Sequence, residues 1–165
     1  MEAANTIKAD ILRSFPPVDA AAADRMLQEE LQKHTEKIIV LDDDPTGVQT
    51  VHDISVYTNW DEQSIRQGFE EKERLFYILT NSRGMTASQT EHVHRSIART
   101  IAKVARELGK DFFIISRSDS TLRGHYPLET QVLRQELEQE TGKPIDGEIL
   151  CPFFKEGGRF TIGNV

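Results

Sequence analysis

Three short apolar runs constrain this chain more than anything else in it: Ile38-Ile39-Val40-Leu41, Leu75-Phe76-Tyr77-Ile78-Leu79 and Phe112-Phe113-Ile114-Ile115. Each consists of β-branched, aliphatic or aromatic residues without polar alternation, the pattern of a strand covered on both faces. Each ends in a polar loop, and helical periods lie between them. After the second run, Thr86 and Gln89 match a capping box, and Val93, Ile97, Ile101, Val104 and Leu108 recur at spacings of four and three up to Gly109. After the third, Pro127 opens a first turn and Leu128, Val132, Leu133 and Leu137 follow. Strands alternating with helices predict an α/β fold, a layered parallel or mostly parallel sheet with flanking helices.

The remaining segments are less regular. Residues 62–72 read as a short charged helix, and Gly147 to Cys151 as a further short strand. Ile54 to Thr58 alternates like a strand, but only about six residues separate it from the preceding loop, where a parallel crossover takes a dozen or more, so its place in the sheet stays open. Residues 1–17 show no period and close at Pro16-Pro17, which predicts a loosely held arm. Residues 18–33 form an alanine-rich helical pattern with Met26, Leu27 and Leu31 on one face, expected to pack beside the sheet. The chain therefore divides into an arm and helix over 1–36 and an α/β domain over 37–165. His92 and His94 fall off the apolar stripe of their helix and are expected on the solvated surface.

Composition excludes several classes. With 165 residues, 38% hydrophobic and 28% charged, the chain can bury one core. No apolar run approaches the roughly 20 residues of a membrane span, and no basic-then-apolar leader opens the sequence, so neither membrane insertion nor secretion is expected. The single cysteine, Cys151, permits no internal disulfide or zinc finger and suits a reducing cytoplasm. A net charge of −7 without any Lys/Arg-rich block argues against nucleic acid.

Parallel sheets bind ligands beyond the carboxyl ends of their strands. Here those ends deliver Asp42 to Thr46, Asn81 to Arg83, Ser116 to Arg123 and Lys155 to Arg159. Three adjacent carboxylates, Asp42, Asp43 and Asp44, repel one another unless a metal, a hydroxyl or a proton makes use of the charge. Four arginines, Arg83, Arg117, Arg123 and Arg159, fall in the same loops of an acidic protein, and a guanidinium fork matches a carboxylate or phosphate. An anionic, hydroxylated ligand is the expectation. No Walker-type phosphate loop, Gly-x-Gly-x-x-Gly, Gly-x-Ser-x-Gly or His-Glu-x-x-His motif is present, so nothing in the sequence obviously binds ATP.

The stretch Asp43-Asp44-Pro45-Thr46-Gly47 and, more specifically, Asp119-Ser120-Thr121-Leu122-Arg123-Gly124 after an apolar strand resemble the N-terminal, substrate-binding domain of the four-carbon acid sugar kinase family. Asn81-Ser82-Arg83 and the segment from Pro152 to Arg159 resemble two further blocks in the same order, so the likeness covers about residues 37–159. The resemblance implies ATP-dependent phosphorylation of threonate, erythronate or a 3-oxo-tetronate. It implies substrate binding by Asp43, Asp44, Thr46, Ser82, Arg83, Asp119, Ser120, Arg123 and Arg159, with the catalytic base among Asp43, Asp44 and Asp119. It assigns ATP and magnesium to a C-terminal domain or separate subunit, with no metal site and no cofactor on this chain alone. Val48 to Asp53 is shorter than the family's helical connection, so no residue beyond Gly47 in that loop is carried over. The chain stops where a substrate domain is still being completed, which predicts a truncated or split enzyme, inactive alone and prone to self-association through exposed apolar surface.

Two other readings stay open. Residues 38–46 also fit a haloacid dehalogenase-like phosphatase, with Asp42 as nucleophile, Asp44 as acid/base and Leu79-Thr80-Asn81 as a second motif; that reading lacks paired acids after a later strand and leaves 119–124 unexplained. The third is a non-catalytic sugar-acid binding module.

Overall fold

The computed structural model describes residues 9–49, 51–119, 123–152, 154 and 157–159. The chain divides between Thr35 and Glu36 into two compact units. In the first, residues Ala9–Ser14 form a 3-10 helix where an irregular arm was expected, and helix α1 spans Ala20–Lys33. Asp19 caps α1 by accepting from Ala22 N at 2.9 Å. The expected burial of its apolar stripe is not found: α1 has no buried residue, and Met26, Leu27 and Leu31 are exposed.

The second unit is built on a four-stranded, all-parallel sheet: β1 (Lys37–Asp42), β2 (Val56–Tyr57), β3 (Leu75–Leu79) and β4 (Phe112–Arg117), in the order β2-β3-β1-β4. Helix α2 (Glu62–Glu70) links β2 to β3, α3 (Ala87–Leu108) links β3 to β4, and α4 (Leu128–Thr141) follows β4. The order explains why the short strand resisted placement from sequence. Among the described residues between β1 and β2 there is no helix, and β2 does not lie beside β1 but at the far edge beyond β3. From there both helical crossovers step in the same direction across the sheet, and right-handed crossovers then put their helices on one face. The core agrees: Ile39, Leu41, Phe76 and Ile78 from the sheet pack with Ile65 and Phe69 of α2, Ile97, Ile101 and Val104 of α3, and Leu133 and Leu137 of α4. Gly68 lets α2 approach closely, since a Cβ there would lie 2.8 Å from the Phe76 ring.

On the opposite face Val40 and Tyr77 are buried at the centre, while Phe113 and Ile115 on β4 remain exposed. The capping box of α3 is present, with Thr86 and Gln89 satisfying each other's backbone N–H, and Gly109 ends the helix in the left-handed conformation. Residues 147–151 are not a strand, and Ile149 is 95% exposed. The reason lies just before them: beyond the Gly142 cap the chain is held to α4, with Ile145 N donating to Glu138 and the Ile145 carbonyl accepting from Arg134. The tie seats Ile145 against the core from the α4 side and not as a partner of a sheet strand. Among the described residues no helix is long and apolar enough to cross a membrane.

Candidate functional site

The carboxyl ends of the three longer strands are stitched together before any side chain is considered. Thr80 N donates to the Asp42 carbonyl at 2.8 Å, Arg83 N to the Asp43 carbonyl at 3.2 Å, and Asp43 N to the Arg117 carbonyl at 3.2 Å. The Thr80 and Asp43 bonds continue the parallel ladder one step past the strands, the Arg83 bond ties the following turn to β1, and together they bring the loops after β1, β3 and β4 to one place. Asn81 takes the left-handed backbone conformation (φ 55°) that turns the chain from β3 into the 3-10 turn Ser82–Gly84.

Arg83 from this turn reaches back to the β1 loop. Its Nε and Nη2 donate to Asp43 Oδ2 and Oδ1 at 3.0 and 2.8 Å, a two-point fork, and its Nη1 donates to Asp44. Ser118 Oγ, from the β4 loop, donates to Asp43 Oδ2 at 3.1 Å. Asp43 is 2% exposed, so the guanidinium and hydroxyl replace the water that a buried carboxylate loses. Asp44 is more open. The Thr46 hydroxyl and backbone N–H, with Arg83, hold its carboxyl below the ordinary range, so it stays an anionic acceptor near neutral pH.

A second cluster lies beside the first. Arg123 Nε and Nη2 donate to Asp119 Oδ2 and Oδ1 at 2.6 and 3.1 Å, and Arg159 Nη1 lies 3.6 Å from Asp119 Oδ1. The Asp119 side chain is 4% exposed and that of Arg123 64%, so the cation is the part solvent reaches. Arg159 arrives on a tight turn closed by an antiparallel bridge between Phe154 and Arg159, with its guanidinium over the Phe154 ring. Gly124 joins the clusters: a Cβ there would lie 3.0 Å from Asp43 Oδ2 and collide with Ser118 Oγ. The charges of Arg123, Arg83 and Asp44 act on one another across the gap.

Asp42 is set apart from this surface. It is 1% exposed, Arg117 Nη1 lies 3.0 Å from its Oδ1, and Gly47 passes so closely that a Cβ there would overlap the carboxylate. Burial pushes its carboxyl above the ordinary range against the pull of Arg117.

Behind the loops lies a polar layer that sequence reasoning did not find. Thr80 Oγ1 donates to the Asp42 carbonyl at 2.9 Å, Ser82 Oγ donates to Glu129 Oε1 at 2.7 Å, and His94 Nε2 lies 3.7 Å from the same oxygen. The expectation of a solvated His94 is corrected: it is 1% exposed, with Nδ1 bonded to the Thr90 carbonyl at 2.8 Å. The signal was available. His94 precedes Ile97 by three and Ile101 by seven, which puts it on the same buried face as the stripe read through Val93, Ile97, Ile101, Val104 and Leu108. Arg117, counted from sequence among the four loop arginines, pairs with the buried Asp42, and Ser118, His125 and Glu129 were not assigned site roles from sequence. Of those that were, Asp43, Asp44, Thr46, Ser82 and Arg83 come together, Asp119, Arg123 and Arg159 form the adjoining cluster, and Ser120 lies outside the described residues.

The strand-end loops of this parallel α/β sheet gather acids, hydroxyls and arginines at the carboxyl edge, where parallel sheets generally hold their ligands. The family of the domain follows from sequence comparison: residues 38–165 match the family described as the sugar-binding N-terminal domain, and the chain belongs to that family. No curated protein and no solved structure matches the chain.

Proposed function

We propose that this sugar-binding domain is the substrate-binding part of an ATP-dependent kinase acting on four-carbon acid sugars such as threonate, erythronate or a 3-oxo-tetronate. The observation that carries the reading is the adjacency of the Asp43–Arg83–Asp44 and Asp119–Arg123–Arg159 clusters. Acids accept from sugar hydroxyls, and Arg123, the most open guanidinium of the three, takes the ligand carboxylate. Asp43, Asp44 and Asp119 are the candidates for the base that receives the proton of the attacking hydroxyl.

The donor set does not suit magnesium, because Asp42, Asp43, Asp44 and Asp119 are each paired with arginine. The resemblance to the four-carbon acid sugar kinases assigns ATP and its metal to a C-terminal domain or separate subunit. The exposed Phe113 and Ile115 offer apolar surface to that partner or to a second copy. The lone Cys151 is the ground for placing the reaction in the cytoplasm. The phosphatase alternative is weakened by Asp42, whose burial behind Gly47 and pairing with Arg117 suit no nucleophile.

Calorimetric titration with erythronate, threonate and the neutral tetritol erythritol tests the reading. At least one tetronate is expected to bind at least about tenfold more tightly than erythritol, the scale of one charge-assisted contact. Equal binding of erythritol, or magnesium-dependent hydrolysis of a generic phosphate ester, would overturn it.

A further inference from the structure

The loop after β3 carries Arg83, and two contacts reach that loop from the start of α4. Ser82 Oγ donates to Glu129 Oε1 at 2.7 Å, and His125 Nε2 meets the Met85 carbonyl at 2.9 Å, which requires the proton on Nε2. Both arise from a single turn, since Glu129 N donates to the His125 carbonyl at 3.2 Å. Ser82 and Glu129 are 0% and 2% exposed. His94, held by its Nδ1 bond to Thr90, backs the same carboxylate from α3.

Keeping a carboxylate in this position costs solvation that a leucine would not, so its short hydrogen bond from Ser82 matters for geometry more than for stability. The bond spans the site. On one side it fixes the loop whose Arg83 grips Asp43 and Asp44; on the other it fixes the helix that follows the Asp119–Arg123 loop.

We propose that Glu129, assisted by His125, is the positioning residue of the sugar site, holding the β3 loop against the first turn of α4 and setting the gap between Arg83 and Arg123. The ligand in this proposal rests on the sugar-acid reading above; the clamp itself does not.

Amide hydrogen exchange on the full chain reads the clamp without any ligand. The reporters are Arg83 N–H, bonded to the Asp43 carbonyl, and Met85 N–H, bonded to the Ser82 carbonyl. Glu129→Ala is expected to speed exchange at both by at least about tenfold while Ile78 in β3 stays protected. Glu129→Gln loses the charge but keeps an oxygen for Ser82, and should restore both reporters to within about threefold of the parent. Ser82→Ala cuts the same bond from the other end and gives the same loosening even if Glu129→Ala fails to fold. Parent-like exchange in Ser82→Ala would overturn the clamp. Erythronate and threonate binding is the second arm: Glu129→Ala should weaken it at least about tenfold and Glu129→Gln should recover it. A loosened loop that binds tetronate as the parent does would overturn the positioning role. A parent that binds neither tetronate contradicts the sugar-acid reading, and the exchange result then decides the clamp alone.

Discussion

Of the carboxylates that arginine satisfies in this domain, those between helices and those on the strand-end loops contrast most sharply, and the loop groups alone resemble a binding site. Glu136 on α4 is fully buried and receives Arg95 and Arg99 from α3. Burial alone would raise its carboxyl, but the Arg99 and Arg95 guanidiniums outweigh it and hold the group below its ordinary range. All three residues lie on helices, and among the described residues Glu136 is met by these guanidiniums, so the cluster fastens α3 to α4. Asp43 and Asp44 meet Arg83 on loops instead, together with Thr46 and Ser118 hydroxyls and the close passage of Gly124. An arginine–carboxylate pair is therefore no sign of a site by itself. Its neighbours and its place at the carboxyl edge of the sheet make the difference.

Breaking the helical cluster has the largest expected effect on stability. Glu136→Ala strands two guanidiniums that are partly open and can regain water, so the loss falls at or below the low end for broken buried pairs, at most about 3 kcal/mol in denaturant unfolding. Tetronate affinity of the folded fraction should not change. Loss of binding in a variant that remains folded would show that the clusters are not separable.

A smaller effect comes from His94, where the polar layer behind the site meets α3. Burial lowers its pKa from the ordinary 6.5, despite the Thr90 bond and the nearby Glu129 and Asp43 charges, while His125 adds to the lowering. The unfolded chain then binds a proton that the folded chain refuses. Stability from this source is complete above 6.5 and falls as pH drops through 6.5 toward the lowered folded value. Thermal unfolding between pH 8 and about 5.5 should show a shallower acid loss in His94→Asn than in the parent. Identical slopes would mean that the ring is not the group refusing the proton.

Much of the frame was legible because its signals are local. Ile39, Leu41, Phe76 and Ile78 form the sheet core that uninterrupted apolar runs predict, and Thr86, Gln89 and Gly109 bound α3 as their chemistry requires. What escaped depends on contacts far apart in sequence. Val56 and Tyr57 find their place only through β3, about twenty residues on, and Glu129 looks like any charged residue in a first helical turn until Ser82 meets it. Gly147 to Cys151 failed in the other direction: a plausible strand composition gives no strand while Ile145 is tied to α4. At the site, the loops and their residue types were readable, but the pairing of Arg83 with Asp43 and of Arg123 with Asp119 was not, because guanidinium reach is set by the fold.

Placing the same substitution in both clusters is the most direct measurement. Erythronate and threonate binding is compared by calorimetry in the parent, Arg123→Ala and Arg99→Ala, with the unfolding midpoint recorded for each. The expected result is at least about a tenfold loss of affinity in Arg123→Ala with little change in midpoint, against a lowered midpoint and parental affinity in Arg99→Ala. An Arg123→Ala variant that binds tetronate as tightly as the parent would contradict the assignment of the strand-end cluster as the sugar-acid site.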